Sequence, residues 1–297
     1  MKARLLTAMV TPFAQDGGVD LGEAKRLARF LVEQGNDGIV VAGSTGEGPT
    51  LSDDERLALF RAVKEALPQA TVVAATGDNN TAHSIELTRA AAATGVDAVM
   101  ATVPAYNKPT QDGLIEHFLA IARSTELPVM IYNIPGRTGT NLLPATFAAL
   151  CERAPNVEGL KESTGDFNQF NRLVTSVPER VRIYCGDDYC FLPALAIGAY
   201  GVVSVAGHVC AGELKQMIEA YLAGDVARAA EIHRSIVPLV DALFSVSNPI
   251  PVKWAMGELG FKVGQCRAPL SPMPSPAAQR LAPLLAKYAP AAAPAKA

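Results

Sequence analysis

From Tyr189 to Gly212 the chain runs YCFLPALAIGAYGVVSVAGHVCAG, with no charged residue and with enough length to cross a bilayer. Its interior argues against a membrane span. Pro193, Gly198, Gly201, Gly207 and Gly212 interrupt it, and a helical pattern at Phe191, Leu195 and Ile197 gives way to the β-branched run Val202, Val203 and Val205. The stretch therefore predicts a helix, a turn and a strand buried on both faces. A strand with no polar face needs cover on both sides, as in a parallel sheet flanked by helices.

Working outward, the same unit recurs. Short apolar runs occur at Arg4 to Val10, Gly38 to Ala42, Thr71 to Thr76, Asp97 to Val103, Pro128 to Asn133, Val157 to Lys161, Val181 to Cys185 and Gly201 to Val205. Amphipathic segments separate them, such as Leu21, Ala24, Leu27, Ala28 and Leu31 at helical spacing. Another opens on the capping box Ser52-x-x-Glu55 and continues through Leu57, Phe60 and Val63. Eight strand and helix units predict an α/β fold, a closed (β/α)8 barrel. After Val205 the pattern is helical at Leu214 to Leu222, Val226 to Phe244, Pro249 to Leu259 and Ala277 to Ala286. The predicted organisation is a catalytic barrel over residues 1–223, a C-terminal helical domain over 224–290, and a disordered tail over 291–297.

Composition narrows the function. The 297 residues carry 26 Lys+Arg against 29 Asp+Glu, a net charge of -3 that offers no field to attract nucleic acid or an anionic membrane. Five cysteines without a C-x-x-C, and histidines at 83, 117, 208 and 233 without zinc spacing, predict a reduced, cytoplasmic protein with no metal. The start MKARLLTAMVTPFA has the basic and apolar character of a weak signal peptide but no clean small-x-small cleavage site, so a buried first strand is the better reading. No G-x-G-x-x-G, P-loop or G-x-S-x-G is present, and no cofactor is implied.

A barrel of this kind builds its site at the carboxyl ends of the strands. After the second strand, Gly43-Ser44-Thr45-Gly46-Glu47-Gly48 can converge its backbone N–H groups on an anion, with two hydroxyls beside them, or can be only a tight turn. After the fifth come Tyr132 and Arg137, a proton carrier and a guanidinium suited to a carboxylate, or a packing tyrosine and a surface arginine. The sixth ends at Lys161. Loss of hydration at the mouth of an apolar barrel favours its neutral, nucleophilic amine, whereas a lysine snorkelling to the rim would pair with Glu162. Together these residues suggest condensation or cleavage of a small oxo-acid through a Schiff base. Tyr106, after the fourth strand, is a second candidate proton carrier or a loop aromatic, and Asp187-Asp188 suit loop caps and pocket-wall contacts better than an acid/base dyad. Asp53-Asp54 fit a first helical turn through the helix dipole.

The strings GSTGEG at 43–48, YNIPGRTG at 132–139, GLKESTGD at 159–166, CGDD at 185–188, GVVSV at 201–205 and NPIPVKW at 248–254 span nearly the whole chain. In that order the sequence resembles the dihydrodipicolinate synthase (4-hydroxy-tetrahydrodipicolinate synthase) family, among the class I pyruvate-dependent barrels that include N-acetylneuraminate lyase. The resemblance implies that Lys161 forms the Schiff base with pyruvate. Ser44, Thr45 and their amides would hold the pyruvate carboxylate, near the Val203 carbonyl, and Gly186 would lie against substrate. Tyr132 would move protons in a relay with Ser44 and with Tyr106 reaching in from a partner subunit, in a homotetramer built as a dimer of dimers. Arg137 would bind the carboxylate of L-aspartate 4-semialdehyde, on the route to diaminopimelate and lysine. Many members carry threonine at the position of Ser44; serine keeps the hydroxyl and loses only a methyl that restricts its rotamer.

A sugar-acid or N-acetylneuraminate aldolase would share Lys161 and Tyr132 but usually needs another group in place of Arg137. A catalytically silent oxo-acid-binding paralogue has no chemical need for Lys161, Tyr132 and Tyr106 together. A phosphate-binding barrel enzyme lacks its glycine-rich motif after the seventh or eighth strand. Regulated members bind lysine with an acidic side chain and a tyrosine at positions matching His83 and Ala105, and Gly48 replaces a usual hydroxyl. Asn79 alone remains, so weak or absent inhibition by lysine is expected.

Overall fold

The structure, a computed structural model, describes residues 2–288. Eight strands alternate with helices: β1 (Leu5–Ala8), α1 (Leu21–Glu33), β2 (Gly38–Val41), α2 (Asp53–Ala66), β3 (Thr71–Ala75), α3 (Thr81–Ala92), β4 (Ala98–Thr102), α4 (Gln111–Ala122), β5 (Val129–Asn133), α5 (Pro135–Thr138), α6 (Pro144–Arg153), β6 (Val157–Glu162), α7 (Phe167–Ser176), β7 (Arg182–Cys185), α8 (Phe191–Ala196) and β8 (Gly201–Ser204). Each strand pairs in parallel with the next, and β8 pairs with β1, so the sheet closes. The eight predicted strands all appear, each trimmed or extended by a residue or two where the ladder ends. The charge-free stretch divides into α8, β8 and a 3-10 turn at Ala206–His208. Among the described residues no helix is long and apolar enough to cross a membrane.

Side-chain alternation along the strands sorts two cores. Leu6, Ala8, Val40, Val73, Met100, Met130, Tyr132, Tyr184 and Val203 fill the barrel interior. Their neighbours Leu5, Ile39, Val41, Val72, Val99, Ile131, Leu160 and Val202 face outward into the helix layer. Because β-strand side chains alternate, Lys161, next to outward Leu160, falls on the inner face, and Glu162 on the outer. Burying each Val or Leu contributes roughly 1.5–3 kcal/mol, and both faces of the sheet collect it. Several of the helices start where a polar side chain satisfies a free amide. Asp20 accepts from the Glu23 N–H ahead of α1, and the predicted capping box of Ser52 and Glu55 opens α2.

The helix α9 (Ala211–Leu222) completes the eighth unit, and three further helices follow the barrel: α10 (Val226–Leu243), α11 (Ile250–Glu258) and α12 (Ser275–Leu285). α10 packs on α9 and α12, and α11 on α12. Asn248, just ahead of α11, and Lys253, within it, both bond to the loop after β2. The tail expected to be disordered, 291–297, lies outside the described residues.

Candidate active site

The strand ends present the site. Register pairs Lys161 of β6 with Tyr132 of β5 on one side and Tyr184 of β7 on the other. Lys161 is 4% exposed, and its Nζ lies 4.0 Å from the centroid of the Tyr132 ring. It does not reach the rim to pair with Glu162, whose carboxylate points to the other face of the sheet. There Glu162 accepts from Asn133 Nδ2 (3.0 Å), the Thr164 N–H (2.8 Å) and Gln169 Nε2 (3.4 Å). Burial pushes the Glu162 carboxyl up, and these donors act against it. Asn133 follows Tyr132 and Glu162 follows Lys161, so this outer network ties the ends of β5 and β6 and leaves the Tyr132 and Lys161 side chains on the inner face.

The loop after β2 divides its amides into two sets. The amides of Glu47 and Gly48 are spent on the carbonyls of Ser44 (3.2 Å) and Gly43 (3.0 Å), while those of Ser44 and Thr45 donate to no protein group among the described residues. The Gly48 backbone packs closely here, and a Cβ added at 48 would sit 2.2 Å from the Ala42 carbonyl oxygen unless the loop shifted. The same holds at Gly186, where a Cβ would meet Ser163 Oγ at 2.0 Å and Lys161 Cε at 2.9 Å. Backbone at Gly186 can therefore approach the lysine closely, next to a buried Ser163 hydroxyl that has no partner among the described residues.

A cavity of about 410 Å³ opens over these strand ends, and its wall includes Ser44, Tyr132 and Arg137. Lys161, Thr45, Gly186 and Val203 lie outside that wall: Lys161 stands behind Tyr132, Thr45 and Val203 are buried, and Gly186 follows β7. Arg137, on α5, is exposed and donates from Nη2 to the Asn248 carbonyl at 3.2 Å. Tyr106 is not gathered into its own chain's site. It is 92% exposed, with a φ of 71° that a bulky residue rarely adopts, held by its N–H on the Thr138 carbonyl at 3.0 Å. A larger open groove of about 1110 Å³ between residues 13–20 and 262–267 contains none of these residues.

Asp188 serves as a cap, as its loop position suggested. Its carboxylate accepts from the Ser204 hydroxyl and from the Val205 (2.9 Å) and Ala206 (3.0 Å) amides, closing the turn after β8. Burial pushes its carboxyl up as well. The far end of the cavity is lined by Gly48, Arg56, Asp78, Asn79 and Ala105, so it holds three of the four positions weighed for lysine binding, while the fourth, His83, lies outside its wall. His83 Nε2 lies 2.7 Å from Asp53, which raises the imidazole's affinity for a proton, and Nδ1 lies 3.6 Å from Asp78. Arg56 is buried, donates to the Gly48 carbonyl at 2.6 Å, and has its Nε without a partner among the described residues. Asn79 Oδ1 is occupied by the Ala105 N–H at 2.8 Å.

Three groups escaped the sequence reading. Asn248 donates to Thr45 Oγ1 at 2.9 Å, Lys253 pairs with Glu47 at 2.6 Å, and Asn133 organises the outer network. The strings GSTGEG and NPIPVKW contain the first two pairs, but nothing in either string says that they meet.

A closed parallel barrel with a buried lysine at the end of its sixth strand, a tyrosine against it and a loop with two unspent amides nearby has the make-up of a carbonyl-handling enzyme. A family model described as the Dihydrodipicolinate synthetase family matches residues 1–288, and the chain belongs to that family. A 4-hydroxy-tetrahydrodipicolinate synthase of Moorella thermoacetica is 51% identical over 268 residues, 90% of this chain and 91% of that protein. A DHDPS from Cyanidioschyzon merolae, solved with lysine bound, superposes with a TM-score of 0.93 at 44% identity, covering 95% of this chain and 96% of that one. A structure described as the first monomeric dihydrodipicolinate synthase variant superposes at 0.92 with 36% identity, covering 95% of each chain.

Proposed function

We propose that this protein condenses pyruvate with L-aspartate 4-semialdehyde to give 4-hydroxy-tetrahydrodipicolinate, with Lys161 as the Schiff-base residue. The observation that carries the assignment is Lys161 itself: buried inside the barrel, paired with no carboxylate among the described residues, and set against the ring of Tyr132. The family and its relatives named 4-hydroxy-tetrahydrodipicolinate synthase support the same reaction and do not favour the sugar-acid or N-acetylneuraminate alternative.

In this reading the Lys161 amine attacks the ketone carbon of pyruvate, and water leaves as the imine forms. Ser44, Thr45 and their amides hold the carboxylate, with the Val203 carbonyl and Gly186 against the adduct. Loss of a methyl proton, carried through Tyr132, gives the enamine, whose carbon attacks the aldehyde. Arg137 holds the second substrate's carboxylate. The incoming amino group then replaces the lysine and closes the ring, freeing Lys161. Tyr106, exposed on its own chain, supports a site completed by a partner subunit, and we assign the protein a homotetramer, a dimer of dimers. A barrel over 1–223 with a helical domain over 224–290 and a cytoplasmic location belong to the same proposal. Incubation with pyruvate and borohydride, followed by peptide mapping, tests it. A reduced adduct on Lys161 is expected, and an adduct on Lys108 or Lys253 would refute the assignment.

A further inference from the structure

The loop that cradles the anion is held by residues about two hundred positions away. Asn248, just ahead of α11, donates from Nδ2 to Thr45 Oγ1 at 2.9 Å across a separation of 203 residues. Thr45 is 2% exposed and Asn248 8%. On the other side of Thr45, Thr11 Oγ1 donates to the Gly46 carbonyl at 2.6 Å. Two residues beyond Thr45, Glu47 sits at a φ of 56°, a conformation an L-residue keeps only when its surroundings enforce it. They do so through both carboxylate oxygens: Oε1 meets Lys253 Nζ at 2.6 Å, and Oε2 accepts the Arg267 N–H at 2.7 Å. The C-terminal helical layer thus grips the loop at two points, residues 45 and 47.

The Thr45 contact has a chemical consequence. A hydroxyl has one proton to donate and two lone pairs to accept with. When Asn248 fills an accepting position, the Thr45 proton stays free for an acceptor in the cradle, and a carboxylate is the acceptor that gains most from it. The other end of the Asn248 amide makes no competing bond, since Oδ1 is buried without a partner among the described residues. Its main-chain carbonyl, by contrast, receives the Arg137 guanidinium at 3.2 Å, a contact no side-chain change removes.

We propose that Asn248 is a positioning residue for the oxo-acid: its side-chain amide orients the Thr45 hydroxyl as a donor to the substrate carboxylate. The proposal rests on the reading of the site given above. It separates two roles of one residue, the side chain acting on pyruvate and the backbone on the group assigned to the aldehyde.

The test is steady-state kinetics of Asn248→Ala and Asn248→Asp with each substrate varied in turn, alongside borohydride trapping and thermal melts. Asn248→Ala should raise the KM for pyruvate about five- to tenfold, the value of one net hydrogen bond, and leave the KM for aspartate semialdehyde within about twofold. Asn248→Asp keeps the shape but turns the donor into a charged acceptor that claims the Thr45 proton and repels a carboxylate. It should raise the KM for pyruvate further than Ala does. An unchanged KM for pyruvate in both variants, or both KM values rising in parallel, or Asp behaving as well as asparagine, overturns the proposal. Failure of the wild type to trap pyruvate overturns instead the functional reading beneath it, and is seen before any variant is compared.

Discussion

Replacing Lys253 by methionine keeps an unbranched apolar stem, one heavy atom shorter, and removes the ammonium from a pair that is almost wholly out of water. The side chains of Lys253 and Glu47 are 1% and 0% exposed, with 2.6 Å between Nζ and Oε1. Burial pushes the Lys253 amine toward losing its proton and Glu47 holds it in place, so the pair is stable only as a pair. Breaking such a pair from one side costs about 3–5 kcal/mol, because the remaining charge stays buried without a counter-ion. The ammonium also lies 3.9 Å from the Phe13 ring centroid, and losing that contact adds about 1 kcal/mol. For a chain of this size the result is a fall in Tm on the order of 10 °C. The double variant Glu47→Gln with Lys253→Met should recover most of the loss, having no charge left to strand. Denaturant melts of wild type, single and double variants measure both. A single-variant loss below about 1 kcal/mol, or a double variant as unstable as the single, would refute the reasoning.

Arg137→Ala should raise the KM for aspartate semialdehyde by about tenfold or more, one charge-assisted contact, while pyruvate trapping on Lys161 persists; normal condensation would make the arginine a surface residue. Mixing inactive Tyr106→Phe with inactive Lys161→Ala should restore partial activity once subunits exchange, and no recovery after verified exchange would mean that the tyrosine serves its own chain. Burial pushes His208 and His117 down to about 4. The unfolded chain therefore binds more protons below about pH 6.5, and stability falls from there toward pH 4, by up to about 3 kcal/mol per histidine. His208→Asn should flatten part of that fall in denaturant melts, and an unchanged pH slope would contradict it. L-Lysine titrated into the assay at limiting and saturating pyruvate should inhibit weakly or not at all. The carboxylates near the cleft, Asp53 and Asp78, are engaged with His83, and Arg56 adds positive charge; strong partial inhibition would show that the cleft has been misjudged.

The barrel was legible in the amino-acid order because its signals are local. Eight apolar runs, helical spacing between them and the capping box of Ser52 and Glu55 each act within about a dozen residues, and parallel connections leave little choice of topology. Lys161, Tyr132 and the 43–48 loop were legible for the same reason, since strand ends can be located in the sequence and alternation then turns Lys161 inward. Which distant groups complete the loop was not. Thr45 meets Asn248 across 203 residues, Glu47 meets Lys253 across 206, and His208 Nε2 accepts the Val10 N–H across 198. No local pattern encodes such pairings, because each depends on where the closed sheet and the docked C-terminal helices bring two chain segments. Local order in the amino-acid chain was enough for the barrel and for placing Lys161 and Tyr132 side by side on its inner face. Tertiary packing alone decided which neighbours fix their geometry, since only there do buried charges and amides find partners in place of water.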